Sequence, residues 1–252
     1  MSNLDYETIE STLHGAVRVI ALNRPESLNA MNAALIRDVA LAFDDANRDV
    51  ATRAIIFTGK GRAFCAGDDR NAHVHPESEQ EARALVDAIQ RATRSILFGA
   101  KPVVGAINGW AVGGGLEWSI NCDFPIWAKS AKGFFPEVSL NLFVTGAVTA
   151  ILPALVGLAK AREMMMLGER YTADELEACG AAWRVVADDE LMDAAMEVAR
   201  KLANLPPLSL RAMKRVLNQA GATEINRALE LETEATVAGF MDPETTRLLK
   251  DF

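Results

Sequence analysis

Apolar positions divide the chain into two regimes. Up to about residue 128, short apolar runs alternate with amphipathic stretches. Val17–Leu22 is rich in β-branched residues and runs into Asn23-Arg24-Pro25. It predicts a strand, with residues 6–11 as its partner across a turn at His14-Gly15. Residues 32–49 repeat Ala34, Leu35, Val39, Leu41 and Phe43 at roughly helical spacing, with Asn29 or Asn32 as the cap. Residues 54–58 (AIIFT) read as a buried strand, residues 81–98 as an amphipathic helix and Val103–Ile107 as another strand. Residues 113–122 read as a helix opened by glycines. Phe124–Ala128 reads as a strand weakened by Pro125.

Beyond about Val144 the pattern is helical, over Val148–Val156, 159–168, Ala173–Cys179, 189–205, 209–220 and 224–240. Residues 183–186 interrupt it as a strand, and Asp242-Pro243-Glu244 breaks the last helix. The reading is an α/β chain: a core over residues 1–190 and a helical region over 191–252. Alternating helices and strands imply βαβ-like units on a parallel sheet. The polar stretch 73–82 (HVHPESEQEA) is expected to be a mobile, solvated loop.

Composition narrows the partners. The 252 residues are 50% apolar and carry a net charge of −8, a poor basis for gripping nucleic-acid phosphates. Cys65, Cys122 and Cys179 show no metal-ligand spacing and are expected to be reduced thiols. Neither a signal peptide nor a transmembrane run is visible, so a cytoplasmic protein free of membranes is expected.

Two segments put glycine just past a strand: Ala63-Phe64-Cys65-Ala66-Gly67-Asp68-Asp69, and Asn108-Gly109 with Gly113-Gly114-Gly115-Leu116-Glu117. Ligands of open parallel sheets gather at such strand ends. One backbone N–H from each loop can form an oxyanion hole. Neither segment is a dinucleotide fingerprint or a P-loop. Glu137, in Phe134-Phe135-Pro136-Glu137-Val138, lies twenty positions after Glu117. That is enough chain for the two to share a pocket, and carboxyls in unlike environments divide acid and base roles.

Taken together, Leu22-Asn23-Arg24-Pro25 with Asn29-Ala30, the two glycine segments, Cys122-Asp123 and Pro136-Glu137 resemble the crotonase superfamily of enoyl-CoA hydratases and isomerases, over nearly the whole chain. The resemblance implies a ββα spiral with C-terminal helices that build trimers or hexamers, replacing the open-sheet reading. It implies that the N–H groups of Asp68 and Gly114 hold a thioester oxygen. Ala66 would meet the adenine of coenzyme A through its backbone. Glu117 would activate water and Glu137 would deliver a proton to the α-carbon. The implied reaction is syn hydration of a 2-enoyl-CoA, with another acyl-CoA reaction of the superfamily (isomerisation, thioester hydrolysis, carbon–carbon cleavage) as the alternative. No metal or cofactor is implied beyond the coenzyme A of the substrate.

Departures from the family pattern fall around the acyl pocket. Asp68 is acidic where a small or apolar residue is common, Gly133 stands where many members have Phe, and Val144-Thr145-Gly146-Ala147-Val148 replaces a glycine-rich run. Trp110, Trp118 and Phe143 are candidate pocket walls, and the tail is expected near an active site, its own or a neighbour's. Because the substrate is anionic while the chain is acidic, local cations must attract it; Arg24, Lys60, Arg62 and Arg70 are the candidates.

Overall fold

A hairpin starts the fold: β1 (Ile9–His14) runs antiparallel to β2 (Val17–Leu22) around a turn at Gly15. The computed structural model describes residues 6–220 and 222–251. Helix α1 (Ala33–Arg48) follows, and its cap is Asn32, whose side chain accepts the Leu35 N–H at 2.9 Å. Asn29, the other candidate, does something else. Its left-handed backbone (φ 56°) turns the side chain onto the Arg24 N–H and the carbonyls of Lys60 and Ala63, at 2.8–2.9 Å.

From there the chain repeats one unit. A strand enters a large sheet, a short strand enters a small one, and a helix returns. The units are β3 (Ala54–Gly59), β4 (Ala63–Cys65) and α2 (Glu79–Leu97); then β5 (Val103–Ile107), β6 (Trp110–Val112) and α3 (Gly114–Ile120); then β7 (Phe124–Ala128) and β8 (Lys132–Phe134), leading to α4 (Val148–Val156). After α4 come α5 (Leu158–Arg162), β9 (Tyr171–Thr172), α6 (Ala173–Cys179), β10 (Arg184–Val186), α7 (Leu191–Ala203), α8 (Pro207–Ala220), α9 (Ala222–Met241) and α10 (Pro243–Asp251). The six-stranded sheet has the order β1-β2-β3-β5-β7-β10 and the four-stranded one β4-β6-β8-β9. This is a ββα spiral with a helical C-terminal region, not the single open sheet that the bare pattern suggests. The strands of the second sheet are two or three residues long, too short for any periodicity to show.

The core lies between the large sheet and its helices. Phe57 of β3 meets Phe43 of α1 and Phe64 of β4 edge-on, at 5.0 and 5.1 Å between ring centres. Trp118 is fully buried beside Phe57, so it is core and not a pocket wall. Helix α7 lies along β3, β5 and β7 with Leu191, Ala195, Ala199 and Leu202 buried; each such leucine contributes about 1.5–3 kcal/mol. Pro125 is tolerated between β5 and β10. Its carbonyl accepts the Trp183 N–H at 2.9 Å, so its missing N–H faces the point where the β10 ladder is only beginning.

The predicted helix over 159–168 is broken: α5 ends at Arg162 and a wider π turn spans Glu163–Leu167. Met164 is buried there and Met166 is exposed. Helix α9 packs on α2 and α4, so the last helices close over the spiral. Lys214 of α8 is tied in by bonds to Asp123 at 2.7 Å and to the Ile96 and Lys101 carbonyls. No helix among the described residues is long and apolar enough to cross a membrane.

Candidate active site

A cavity of about 570 Å³ opens where the second sheet meets the C-terminal helices. Its position follows from strand register. Strands β4 and β6 are parallel with Cys65 opposite Ala111, so the loops that follow them leave the sheet at the same end, and Asp68 and Gly114 both reach the cavity. Met31 bonds to the Gly67 carbonyl (2.7 Å) and the Asp69 N–H (2.9 Å), which turns the Asp68 N–H to the opposite side. Gly114 is the first residue of α3, where an N–H has no partner within the helix. Asp68, Gly114, Ala66, Glu117 and Glu137 all line the cavity.

The two glutamates are held differently. Glu117 is 2% exposed, and both its oxygens accept from Thr145: the backbone N–H to Oε1 at 2.7 Å and the hydroxyl to Oε2 at 2.5 Å. Burial pushes its carboxyl up, the Thr145 bonds pull it back and the charge of Glu232 pushes it up again, leaving it at about 7. Glu137 opens a short turn over Glu137–Leu140, is 8% exposed, and its Oε2 has no partner among the described residues. Burial, then the nearby Glu117, holds its carboxyl well above the usual range. Both carboxyls are thus held above the ordinary carboxylate range, by burial first in each, and only Glu117 has donors that pull it back.

Two glycines make room for these carboxyls. Gly113 has φ +51°, and a Cβ there would lie 2.5 Å from Glu137 Oε1. Gly146 has φ +70°, and a Cβ there would lie 2.9 Å from Glu117 Cβ and 3.0 Å from its Oε2. Cys65 is buried beneath the site and its thiol is pushed up to about 12, so it is no thiolate nucleophile.

Of the cations, Arg62 and Arg70 line the cavity. Arg24 and Lys60 do not. Arg24 pairs with Asp69 at 2.8 Å and bonds to the Ala30 carbonyl, holding the two motif loops together. Lys60 pairs with Glu10 at the surface. Trp110 and Phe143 are lining residues, as expected.

The stretch 73–82 is largely exposed, as expected, and runs into α2 at Glu79, but its two histidines are anchored. The His73 side chain is 5% exposed, stacks on Phe240 of α9 at 5.8 Å and reaches Asp68 at 3.4 Å. His75 bonds to Thr246 of α10 at 2.8 Å. The partners of the two histidines, one aromatic and one polar, come from helices more than 160 residues away, which no local pattern reveals. The acidic side chain of Asp68 is 36% exposed and turned toward His73.

Thr145, in the stretch that departs from the family pattern, lies 28 positions from the carboxyl it holds, and no local signal gave it that role. Leu249 brings the tail to the cavity of its own chain, and Phe240 of α9 reaches it with no signal in the sequence. Phe252 lies outside the described residues. Arg170 sits over the rings of Trp110 and Phe134, at 5.9 and 5.3 Å, on the cavity wall.

A ββα spiral whose cavity joins two buried carboxyls to two strand-end N–H groups has the crotonase fold. The match extends to sequence: the family described as enoyl-CoA hydratase/isomerase covers residues 12–245. The chain belongs to the enoyl-CoA hydratase/isomerase family. It is 34% identical over 231 residues to a crotonyl-CoA hydratase of Syntrophomonas wolfei, covering 91% of this chain and 88% of that one. It is also 34% identical over 233 residues to a 1,2-epoxyphenylacetyl-CoA isomerase of Escherichia coli, covering 90% and 88%. The crystal structure of an enoyl-CoA hydratase/isomerase from Mycobacterium paratuberculosis superposes with a TM-score of 0.92 at 26% identity, over 100% of both chains.

Proposed function

We propose that the protein hydrates a 2-enoyl-CoA. The observation that carries this reading is the unequal holding of Glu117 and Glu137 over one cavity. Water bound between them gives a proton to ionised Glu117 as its oxygen attacks the β-carbon. The electron pair moves through the double bond onto the thioester oxygen. There the N–H groups of Asp68 and Gly114 hold it; losing one such donor elsewhere costs about 2.7–4 kcal/mol. Protonated Glu137 then gives its proton to the α-carbon, and proton exchange between the carboxyls and solvent resets the pair. Both groups act from one face, so addition is syn.

On this reading the Ala66 backbone meets the adenine, Arg62 and Arg70 attract the phosphates, and no cofactor is called for beyond the substrate's own coenzyme A. The protein then works in the cytoplasm as a homotrimer or a hexamer of two trimers. The test is loss of enoyl absorbance across short, long and aromatic enoyl-CoAs, with identification of the 3-hydroxyacyl product. No turnover anywhere in that panel overturns the proposal.

A second reading, another acyl-CoA reaction of the family, is favoured by Thr145, which stands in the altered stretch after Glu137 and engages both oxygens of Glu117. Full activity in Glu117→Gln would select it.

A further inference from the structure

A third buried glutamate lies behind the site. Glu232 of α9 is fully buried, and both its oxygens accept hydrogen bonds. Oε2 takes the Ala147 N–H at 2.8 Å, while Oε1 takes the Thr149 N–H at 3.0 Å and the Thr149 hydroxyl at 2.7 Å. Gln90 of α2 completes the arrangement: its amide N–H groups reach Glu232 and the Leu229 carbonyl, and its Oε1 accepts the Gly146 N–H at 3.3 Å. The backbone at residues 146, 147 and 149 is thus gripped from outside the spiral, directly after the residue that holds Glu117.

The grip has a physical reason. Ala147 adopts a left-handed backbone (φ 58°), which a residue with a side chain occupies at a cost. It also immediately precedes α4, at whose start N–H groups lack helical partners. A carboxylate supplied by α9 satisfies those donors and keeps the strained turn closed. Two cations of α2 are engaged elsewhere: Arg91 turns outward to Asp44 and Arg94 to Asn226.

We propose that Glu232, with Gln90, is a positioning residue for Glu117: it clamps the backbone of residues 146–149 and so keeps Thr145 on both oxygens of the carboxyl. The kinetic part of this proposal rests on the hydration reading; the geometric part does not.

The experiment is Glu232→Ala beside Glu232→Gln, with folding checked by thermal melting. Among folded enzymes, Glu232→Ala is expected to lower kcat for enoyl-CoA hydration about tenfold or more with KM within about twofold, and Glu232→Gln, which keeps one acceptor oxygen, to recover part of the loss. The infrared band of the Glu117 carboxyl, assigned by its absence in Glu117→Gln, is expected to move in Glu232→Ala. An unmoved band overturns the proposal whatever substrate the enzyme uses, as does an unchanged kcat in an active enzyme. Should Glu232→Ala fail to fold, Gln90→Met takes its place in the same two measurements, and an unmoved band or an unchanged kcat there overturns the proposal equally. A wild type that hydrates nothing counts against the hydration reading alone, because the band still decides the clamp.

Discussion

Thr145 donates twice to Glu117, once from its backbone and once from its hydroxyl. The two bonds favour the ionised carboxyl and offset part of what burial costs it. Removing the hydroxyl in Thr145→Val therefore raises the point at which Glu117 ionises. The acidic limb of the kcat/KM profile is expected to move to higher pH, with activity at neutral pH about tenfold lower, while Thr145→Ser retains the wild-type limb. A limb that does not move removes Thr145 from the mechanism.

Each glutamate should be indispensable in its own way. Glu117→Gln and Glu137→Gln are each expected to lower kcat by ~10²–10⁴-fold, with substrate binding changed little, because an amide can neither accept nor deliver the required proton. Stopped-flow and steady-state hydration of a good substrate give both constants. Undiminished kcat in either variant contradicts the two-carboxyl route.

The same burial makes stability depend on pH. Both carboxyls ionise at higher pH in the fold than the ordinary value of 4.5. A raised carboxyl contributes stability below its unfolded value and loses it as pH rises through its folded one. For Glu117 that window runs from 4.5 to about 7, and for Glu137 it extends further up. Glu137→Gln is therefore expected to melt higher than wild type at pH 8, with the gap closing toward pH 5. Parallel melting curves across that range would refute the assignment.

Glycine at 146 is needed for space as well as for backbone conformation. Gly146→Ala would force Glu117 aside, since the new Cβ falls within 3.0 Å of its carboxylate oxygen. Activity is expected to fall more than about tenfold, beyond the ~1–2 kcal/mol of left-handed strain. Gly15→Ala is the control: φ is +65° there too, but a Cβ meets nothing within 4 Å. It should lower the melting temperature and leave kcat alone.

Local attraction of an anionic substrate should come from the cations on the cavity wall. Arg62→Ala is expected to raise KM for CoA thioesters several-fold, more at low salt than at high, and Lys60→Ala to leave it within about twofold. Equal effects of the two changes would mean that Lys60 leaves Glu10 for the substrate.

How much of this was legible in advance differs element by element. The hairpin, α1 with its cap narrowed to Asn29 or Asn32, and the buried strands β3 and β5 were read because their signals are local: β-branched runs, helical spacing, a capping amide. The glycine segments and the two glutamates were legible as motifs, since a strand-end turn constrains its own residues. The second sheet was legible only through the family resemblance and not from the pattern, because its strands are three residues or fewer and depend on neighbours for pairing. Nor was the anchoring of His73, whose stacking partner Phe240 is supplied by another part of the chain.

By itself, then, the sequence determined most of the longer helices and large-sheet strands, the loops that carry the backbone N–H groups, and Glu117 and Glu137 as the acid–base pair to consider. Only the tertiary structure decided what distinguishes that pair. Ionisation depends on burial and on nearby donors and charges: for Glu117 these are Thr145 and Glu232, 28 and 115 positions along the chain, and for Glu137 the charge of Glu117, 20 positions back.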